Sequence, residues 1–257
     1  MLLSVSPRLT FAPPQAREKY LIGTLFALAL VALLAPALPA SAWHTPHFVD
    51  TRTWLGVANA GDVLSNLLFL AMAVWGLVRL RACRDAPVGA RWFFVGLILT
   101  CVGSCFYHLD PDASQRLVAD RLGMAVAFAG FLGIATGERI SVRAGQAVVV
   151  LVTVAGLLAA WVAYTNLTPW VVVQFGGMAL AVGLALTRPR PGAFGVPLGG
   201  VILFYVLAKL FELGDVTVFE ATGHMVSGHT LKHLAAALAA WPVIRTLGLT
   251  GPAPSPH

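Results

Sequence analysis

Charged side chains are scarce in this sequence. Only 11% of its 257 residues are Asp, Glu, Lys or Arg, whereas 58% are hydrophobic. A soluble domain carries about a quarter charged residues, and folding buries only part of the surface of a chain. This composition excludes an ordinary soluble globular protein and favours a protein whose surface faces lipid.

Cysteine is also rare, and no stretch shows the alternation of polar and apolar residues that marks a β-strand. Of the three cysteines, Cys101 and Cys105 stand one helical turn apart in an apolar run, and Cys83 lies in a basic loop. Small buried hydrophobic side chains are the simplest interpretation of these thiols. A disulfide framework is therefore excluded, and helices are the structure that satisfies the backbone in lipid.

Long apolar runs are what the sequence has in abundance. A helix needs about 20 residues to cross the hydrocarbon core, and eight runs approach or reach this length. We predict an all-α polytopic membrane bundle of seven core transmembrane helices plus one N-terminal hydrophobic helix. The runs are Tyr20–Ala42, Gly61–Leu80, Arg91–His108, Leu117–Thr136, Ala147–Tyr164, Trp170–Thr187, Phe194–Leu213 and Val226–Leu247.

The loops between these runs alternate in charge. One set is basic, as at Arg79, Arg81 and Arg84, and the other carries acids such as Asp110 and Asp112. Because basic loops remain in the cytoplasm, we predict that the basic set and both termini of the uncut chain lie there. The net charge of +6 then reflects membrane topology, and no nucleic-acid partner is expected.

The first run has two interpretations. It follows Lys19 and ends in Ala-Leu-Pro-Ala-Ser-Ala at residues 37–42, which is typical of a signal-peptidase site. The apolar part of a signal peptide usually spans about 7–15 residues, and this run is longer, so we favour a retained helix. The predicted organisation is a cytoplasmic tail over 1–19, this segment over 20–42, a seven-helix domain over 54–247 and a C-terminal tail over 248–257.

The few polar residues in the spanning segments gather at one level. In the predicted orientation, the ends of the third and seventh runs and the starts of the second, fourth and eighth lie in the outer, non-cytoplasmic half of the membrane. Ionisable groups at such depth are costly and usually functional. The residues at this level are Asp62, Ser65, Asn66, Ser104, His108, Asp120, Lys209, Glu212, Asp215, His229 and His233.

The spacing of the histidines predicts a metal site. His229 and His233 stand four apart and share one helix face, and His108 can supply a third ligand from another helix. Three protein ligands with one open position is the arrangement of catalytic zinc. Asp120 is then the candidate base for the water that such an ion activates. Ser104, one turn before His108, can donate to an oxyanion or orient that water.

Each of these residues also has a plainer interpretation. An intramembrane histidine more often forms a helix–helix hydrogen bond than a metal site, and Ser104 alone would be a packing residue. Lys209 and Glu212, three apart, are expected to form a structural ion pair. The presence of His108 and Asp120 at the depth of the histidine pair is what favours the metal site.

The pattern Ser104-x-x-x-His108, then Asp120, then His229-x-x-x-His233 resembles the alkaline ceramidases, including the bacterial alkaline phytoceramidases. These are seven-helix membrane hydrolases, in a superfamily that also holds adiponectin-receptor-like proteins and a GPI-remodelling lipase. The resemblance runs from Trp54 to the C-terminus, and its most similar stretches are 63–69, 103–112 and 227–234.

The resemblance implies zinc on the three histidines, Asp120 as the acid that activates water, and Ser104 as the family's serine. It implies that a membrane lipid, ceramide or phytoceramide, is hydrolysed at its amide bond to a sphingoid base and a fatty acid. The animal enzymes bind calcium through an acidic segment before the first core helix. The matching region here, 50–62, is poorer in acids, so a calcium requirement stays open.

Other functions also stay open at this point. The lipid could carry an ester, as in the lipase branch. The chain could be receptor-like, with a structural or differently used zinc; a structural site is normally closed by four ligands, and Asp120 is the candidate fourth. A transporter could use Lys209, Glu212 and Asp215 as a polar path, but the sequence has no clear internal repeat of the kind that transporters often show. Oligomeric state and acyl chain length are not predicted.

Overall fold

The structure, a computed structural model, describes residues 15–39, 48–83, 85–112 and 115–249. Within these ranges the chain is helical and forms no β-strand beyond one isolated bridge, between Trp54 and Val57. The helices are α1 (Ala16–Leu34), α2 (Ala60–Ser65), α3 (Leu67–Arg81), α4 (Ala90–His108), α5 (Arg116–Arg139), α6 (Val142–Val162), α7 (Thr168–Val171), α8 (Gly177–Ala185), α9 (Leu198–Leu213), α10 (Asp215–Ala221), α11 (Gly228–Leu238) and α12 (Trp241–Leu249).

Among the described residues, five helical segments are long and apolar enough to cross a membrane. α1 has 19 residues but carries Arg17, Glu18 and Lys19 near its start, while α9 has 16 residues and α11 has 11. The prediction of an all-α membrane bundle is thus confirmed; the count of seven core helices plus one, and the orientation, stay predictions. The five segments are Ala60–Arg81, Ala90–His108, Arg116–Arg139, Val142–Val162 and Thr168–Ala185.

Three of the predicted runs are interrupted. α2 and α3 meet at Asn66, whose Nδ2 donates to the Asp62 carbonyl at 2.7 Å. α11 and α12 are separated at residues 239–240. Between α7 and α8 lies a π-helical turn, Val172–Gly176. Such turns are frequent at functional sites, and this one carries the buried side chain of Gln174.

α4 and α5 pack closely because glycines lie between them. A Cβ at Gly103 would lie 2.2 Å from the Ala119 carbonyl oxygen, and one at Gly123 would lie 2.3 Å from the Thr100 backbone nitrogen. Small residues allow membrane helices to approach at this distance. The contact places the C-terminal end of α4 beside the start of α5.

α1 is attached to the bundle at both ends. Near its start, Glu18 accepts a hydrogen bond from Arg143 Nη2 at 2.6 Å. Beyond its end, the Leu38 carbonyl accepts from the Leu167 backbone nitrogen at 2.8 Å. α1 begins at Ala16, four residues earlier than the predicted run. The predicted cleavage site after residue 42 lies outside the described residues, as do residues 1–14 and 250–257 of the two predicted tails.

The cysteines are free thiols that pack among the helices. Cys101 is buried and Cys105 is half-buried, both on α4. The Cys105 thiol donates to the Val63 carbonyl at 3.4 Å. Cys105 therefore contributes to the contact between α4 and α2. The burial of Cys101 and Cys105 agrees with the prediction that they are small side chains packed inside the bundle.

Candidate metal centre

Three buried histidines meet between α4 and α11. One ring nitrogen from each of His108, His229 and His233 lies within 4.8 Å of the others. The ring centroids are 4.9 to 5.0 Å apart in all three pairs, and the residues are 1%, 8% and 3% exposed. The predicted convergence of one histidine from the third run with two from the eighth is confirmed, and the cluster could hold a metal ion.

The start of α11 is fixed by side chains that cap its first turn. The Ser227 hydroxyl accepts from the Thr230 backbone nitrogen at 2.9 Å, and the Asp215 carboxylate accepts from the His229 backbone nitrogen at 2.7 Å. These acceptors satisfy N–H groups that the first turn of a helix leaves unpaired. Gly228 brings α11 close to α9, because a Cβ there would lie 2.3 Å from a backbone carbonyl oxygen of α9.

His233 is oriented by Ser65 of α2. The Ser65 Oγ lies 2.9 Å from His233 Nδ1, and it donates its proton to the Asp62 carbonyl at 3.0 Å. Since a hydroxyl has one proton to donate, Ser65 accepts from Nδ1–H of His233. This tautomer leaves Nε2 free as a ligand atom, and metal-binding histidines usually have their second nitrogen held in this way.

His108 offers a second test of whether the residues fit a metal ion. Its Nδ1 is buried and has no hydrogen-bond partner among the described residues. A buried polar atom without a partner is unfavourable, and a cation at this point would satisfy it. The last turn of α4 is held in place by Asn59, whose Nδ2 donates to the His108 carbonyl at 2.8 Å. A set of imidazole donors suits zinc and neighbouring transition metals, so the cluster fits such an ion.

Asp120 and Ser104 lie beside the histidines. The Ser104 side chain interacts with the Asp120 carboxylate, and Asp120 lines the same cavity as His108 and His229. The structure therefore brings together the residues singled out from the sequence, which come from α4, α5 and α11. Their roles in catalysis stay predictions.

A cavity of about 430 Å³ opens beside this cluster. Pockets for small ligands typically occupy about 300–1,000 Å³. The lining includes apolar side chains such as Leu117, Met124 and Trp170, and charged side chains such as Lys209 and Lys232. An amphiphile, with both an apolar chain and a polar group, matches such a wall.

Lys232 is a residue of the site that the sequence analysis missed. Its Nζ lies 3.3 Å from His229 Nε2 and 2.8 Å from Glu212 Oε1. The predicted ion pair between Lys209 and Glu212 is present, at 2.6 Å, so Glu212 bridges two lysines. The signal was in the sequence, because Lys232 stands three residues after His229 and shares its helix face.

The segment before α2, residues 48–59, covers the histidines, and we call it the covering segment. The Phe48 ring centroid lies 4.8 Å from that of His108 and 4.4 Å from that of His229. Arg52 donates to both oxygens of Asp50 at 2.7 Å and to the Met225 carbonyl at 2.8 Å. The hydrogen bonds from Arg52 hold the pKa of Asp50 below its usual range. Asp50, in the region where the family's calcium segment was expected, is thus paired with an arginine.

No protein-family model, no curated protein and no solved structure matches this chain. The fold and the site nevertheless define a class. The chain is an all-helical membrane protein whose buried cluster of His108, His229 and His233 could hold a metal ion beside an amphipathic cavity. The resemblance to the ceramidases rests on the motif residues, and the function argued from it is a proposal.

Proposed function

We propose that this chain is a zinc-dependent intramembrane hydrolase that cleaves the amide bond of ceramide or phytoceramide. The observation that carries the proposal is the convergence of three buried histidines beside a cavity that Asp120 also lines. The choice of an amide substrate comes from the resemblance of the motif to the alkaline ceramidases.

The residues of the cluster divide into ligands and proton-transfer groups. His108, His229 and His233 would hold zinc, a Lewis acid that acidifies water and polarises a carbonyl group. Asp120 would take the proton of the attacking water as general base. Ser104 interacts with the Asp120 carboxylate, so it would act as a positioning residue that orients this group.

The cavity supports a lipid as the substrate. Its apolar lining residues, with Leu117, Met124 and Trp170, offer contact to a hydrocarbon chain, and His108 and His229 line the same cavity. The helices around it include segments long and apolar enough to cross a membrane, so a lipid could enter without passing through water. With the orientation predicted from the loop charges, the site would lie in the non-cytoplasmic half of the membrane.

The test is hydrolysis by purified protein in detergent, with zinc content measured in the same samples. Fluorescent ceramide, phytoceramide and an ester phospholipid are the substrates. We expect fatty acid release from an amide lipid, and a loss of about 10²–10⁴-fold in Asp120→Asn, the contribution typical of a general base. Zinc content should be unchanged in this variant. Asp112→Asn, on an exposed turn, is the matched control and should hydrolyse like the wild type.

Three outcomes would contradict parts of the proposal. Release from the phospholipid alone would assign the chain to an ester-lipid hydrolase. Loss of zinc in Asp120→Asn would make Asp120 a fourth ligand of a closed, structural site, as expected of a receptor-like protein. No release from any lipid by the zinc-loaded wild type would reject the enzymatic proposal.

A further inference from the structure

One face of α9 carries polar groups into the cavity beyond the three histidines. Tyr205, Lys209 and Glu212 stand four and three residues apart and therefore share a face of the helix. Lys209 and Glu212 line the cavity, and Lys209 Nζ lies 6.0 Å from the centroid of the Tyr205 ring. From the π-helical turn, Gln174 Oε1 accepts from the Tyr205 hydroxyl at 3.5 Å. Lys209 thus lies between the Tyr205 ring and the Glu212 carboxylate on this face of α9.

Two ammonium groups here share one carboxylate. Glu212 Oε2 accepts from Lys209 Nζ at 2.6 Å, and Glu212 Oε1 accepts from Lys232 Nζ at 2.8 Å. The bond to Glu212 is the one hydrogen bond that Lys209 makes within the described ranges, although an ammonium has three donors. The side chain of Lys209 is 30% exposed. The group of three carries one net positive charge, and Lys209 keeps N–H donors that have no acceptor among the described residues.

The other two carboxylates of the cavity wall, Asp120 and Asp215, form no hydrogen bond to either lysine among the described residues. Both oxygens of Asp215 accept backbone N–H groups, from His229 at 2.7 Å and Val49 at 3.4 Å, and the positive end of the α11 dipole lies there. Asp120 interacts with Arg121 as well as with Lys232. The cavity lining thus holds three cations, Arg121, Lys209 and Lys232, and three carboxylates, and of these carboxylates Glu212 alone is hydrogen-bonded to the two lysines among the described residues.

We propose that Lys209 and Lys232, held by Glu212, form an anion subsite that binds the carboxylate of a lipid in the cavity. One net positive charge matches a monoanion, whereas a phosphate monoester carries about 1.5 to 2 negative charges at neutral pH. The carboxylate has two possible sources. It is either the fatty acid released by the proposed reaction or the headgroup of an N-acyl amino acid, in which the carboxylate lies close to the amide.

The subsite itself is tested by binding, which does not depend on the proposed function. Palmitate and methyl palmitate, which differ in charge, are titrated into zinc-loaded protein in detergent. We expect the wild type to prefer palmitate by at least about tenfold, the effect of one hydrogen bond to a charged group. The preference should be weaker in Lys209→Gln than in the wild type but not absent, because zinc on the histidines would still attract a carboxylate, and Lys209→Arg should keep the full preference. Lys209 touches none of the three histidines within the described residues, so zinc content should be the same in all three proteins.

The Glu212→Gln substitution should change the affinity for palmitate in the direction opposite to Lys209→Gln. It removes the one carboxylate that the two lysines share, so palmitate should bind more tightly than to the wild type. A general loss of folding would weaken binding instead, and the midpoint of thermal unfolding is measured for each variant. An equal preference for palmitate in the wild type and a folded Lys209→Gln, or no preference in the wild type, would overturn the subsite.

A hydrolysis experiment distinguishes the two sources of the carboxylate, and this experiment rests on the proposed function. If the substrate carries it, kcat/KM should favour N-palmitoylglycine over ceramide by about tenfold, and Lys209→Gln should remove that ratio. If the carboxylate belongs to the product, ceramide should be hydrolysed at least as well as N-palmitoylglycine. Palmitate should then inhibit the Lys209→Gln variant more weakly than it inhibits the wild type. No hydrolysis of either lipid would reject the proposed function, while the binding result would stand.

Discussion

Replacing Gly103 by alanine should push α4 and α5 apart and separate Ser104 from Asp120. The added Cβ would lie 2.2 Å from the Ala119 carbonyl oxygen and 3.1 Å from the Asp120 backbone nitrogen. Ordinary contact begins near 3.4 Å, so the two backbones must separate by roughly 1.2 Å, the difference between 3.4 and 2.2 Å. The contacting atoms belong to the backbone, so no change of rotamer can relieve the overlap.

The expected size of the effect follows from this displacement. Overpacking of this kind costs about 1–3 kcal/mol of stability, and the midpoint of thermal unfolding should fall by several degrees. A misplacement of about 1 Å in a catalytic group can lower a rate about 10²-fold, so hydrolysis should fall by that order. α4 carries His108, but its last turn is held by the hydrogen bond from Asn59 at 2.8 Å, so we expect the displacement to fall on α5 and zinc content to stay near the wild-type value.

Gly183→Ala is the matched control. Gly183 lies in α8, and a Cβ there would meet nothing within 4 Å, so hydrolysis should equal that of the wild type and the unfolding midpoint should be equal or slightly higher, because alanine favours a helix more than glycine does. Thermal unfolding in detergent, zinc analysis and fatty acid release are measured on both variants. If Gly103→Ala behaved like Gly183→Ala in all three measurements, the argument that the α4–α5 contact positions Asp120 would be wrong.

Three further predictions address the metal and the covering segment. Metal analysis should find about one zinc per wild-type chain and a large loss in His229→Ala; an unchanged content would remove this histidine from the site. Ser65→Ala deletes the acceptor for His233 Nδ1–H, so competition with a chelator should show zinc affinity about 10–100-fold weaker, and wild-type affinity would contradict that orientation. Arg52→Gln breaks the bonds to Asp50 and Met225, so amide hydrogen exchange over residues 48–59 should be faster than in the wild type; an equal rate would show that Arg52 does not hold this segment.

The helical fold was predictable because lipid imposes a simple requirement. Each spanning stretch must be apolar along its length and must satisfy its backbone internally, and both requirements are visible in the sequence. The interruptions at Asn66 and at residues 239–240 were not predicted. An apolar run indicates that a segment lies in lipid, but it does not indicate where the helix breaks. These breaks depend on local hydrogen bonds, such as the one from Asn66 to the Asp62 carbonyl.

The convergence of the histidines was predictable for a related reason. Loop charges predict the depth of a residue, and the four-residue spacing of His229 and His233 predicts a common helix face. Neither signal says which helices are neighbours. The contact between Ser65 and His233 joins residues 168 positions apart, and the place of Lys232 in a chain of charges with Glu212 and Lys209 depends on how α9 packs against α11. These residues therefore became visible only in the folded structure.

Asp215 joins three parts of the molecule through one carboxylate. It is the first residue of α10, its Oδ1 holds the backbone of His229, and its Oδ2 holds the backbone of Val49 next to Phe48. A displacement of the backbone next to Phe48 would therefore act on the same carboxylate that holds the first turn of α11. The covering segment and His229 thus share one anchor in the folded chain.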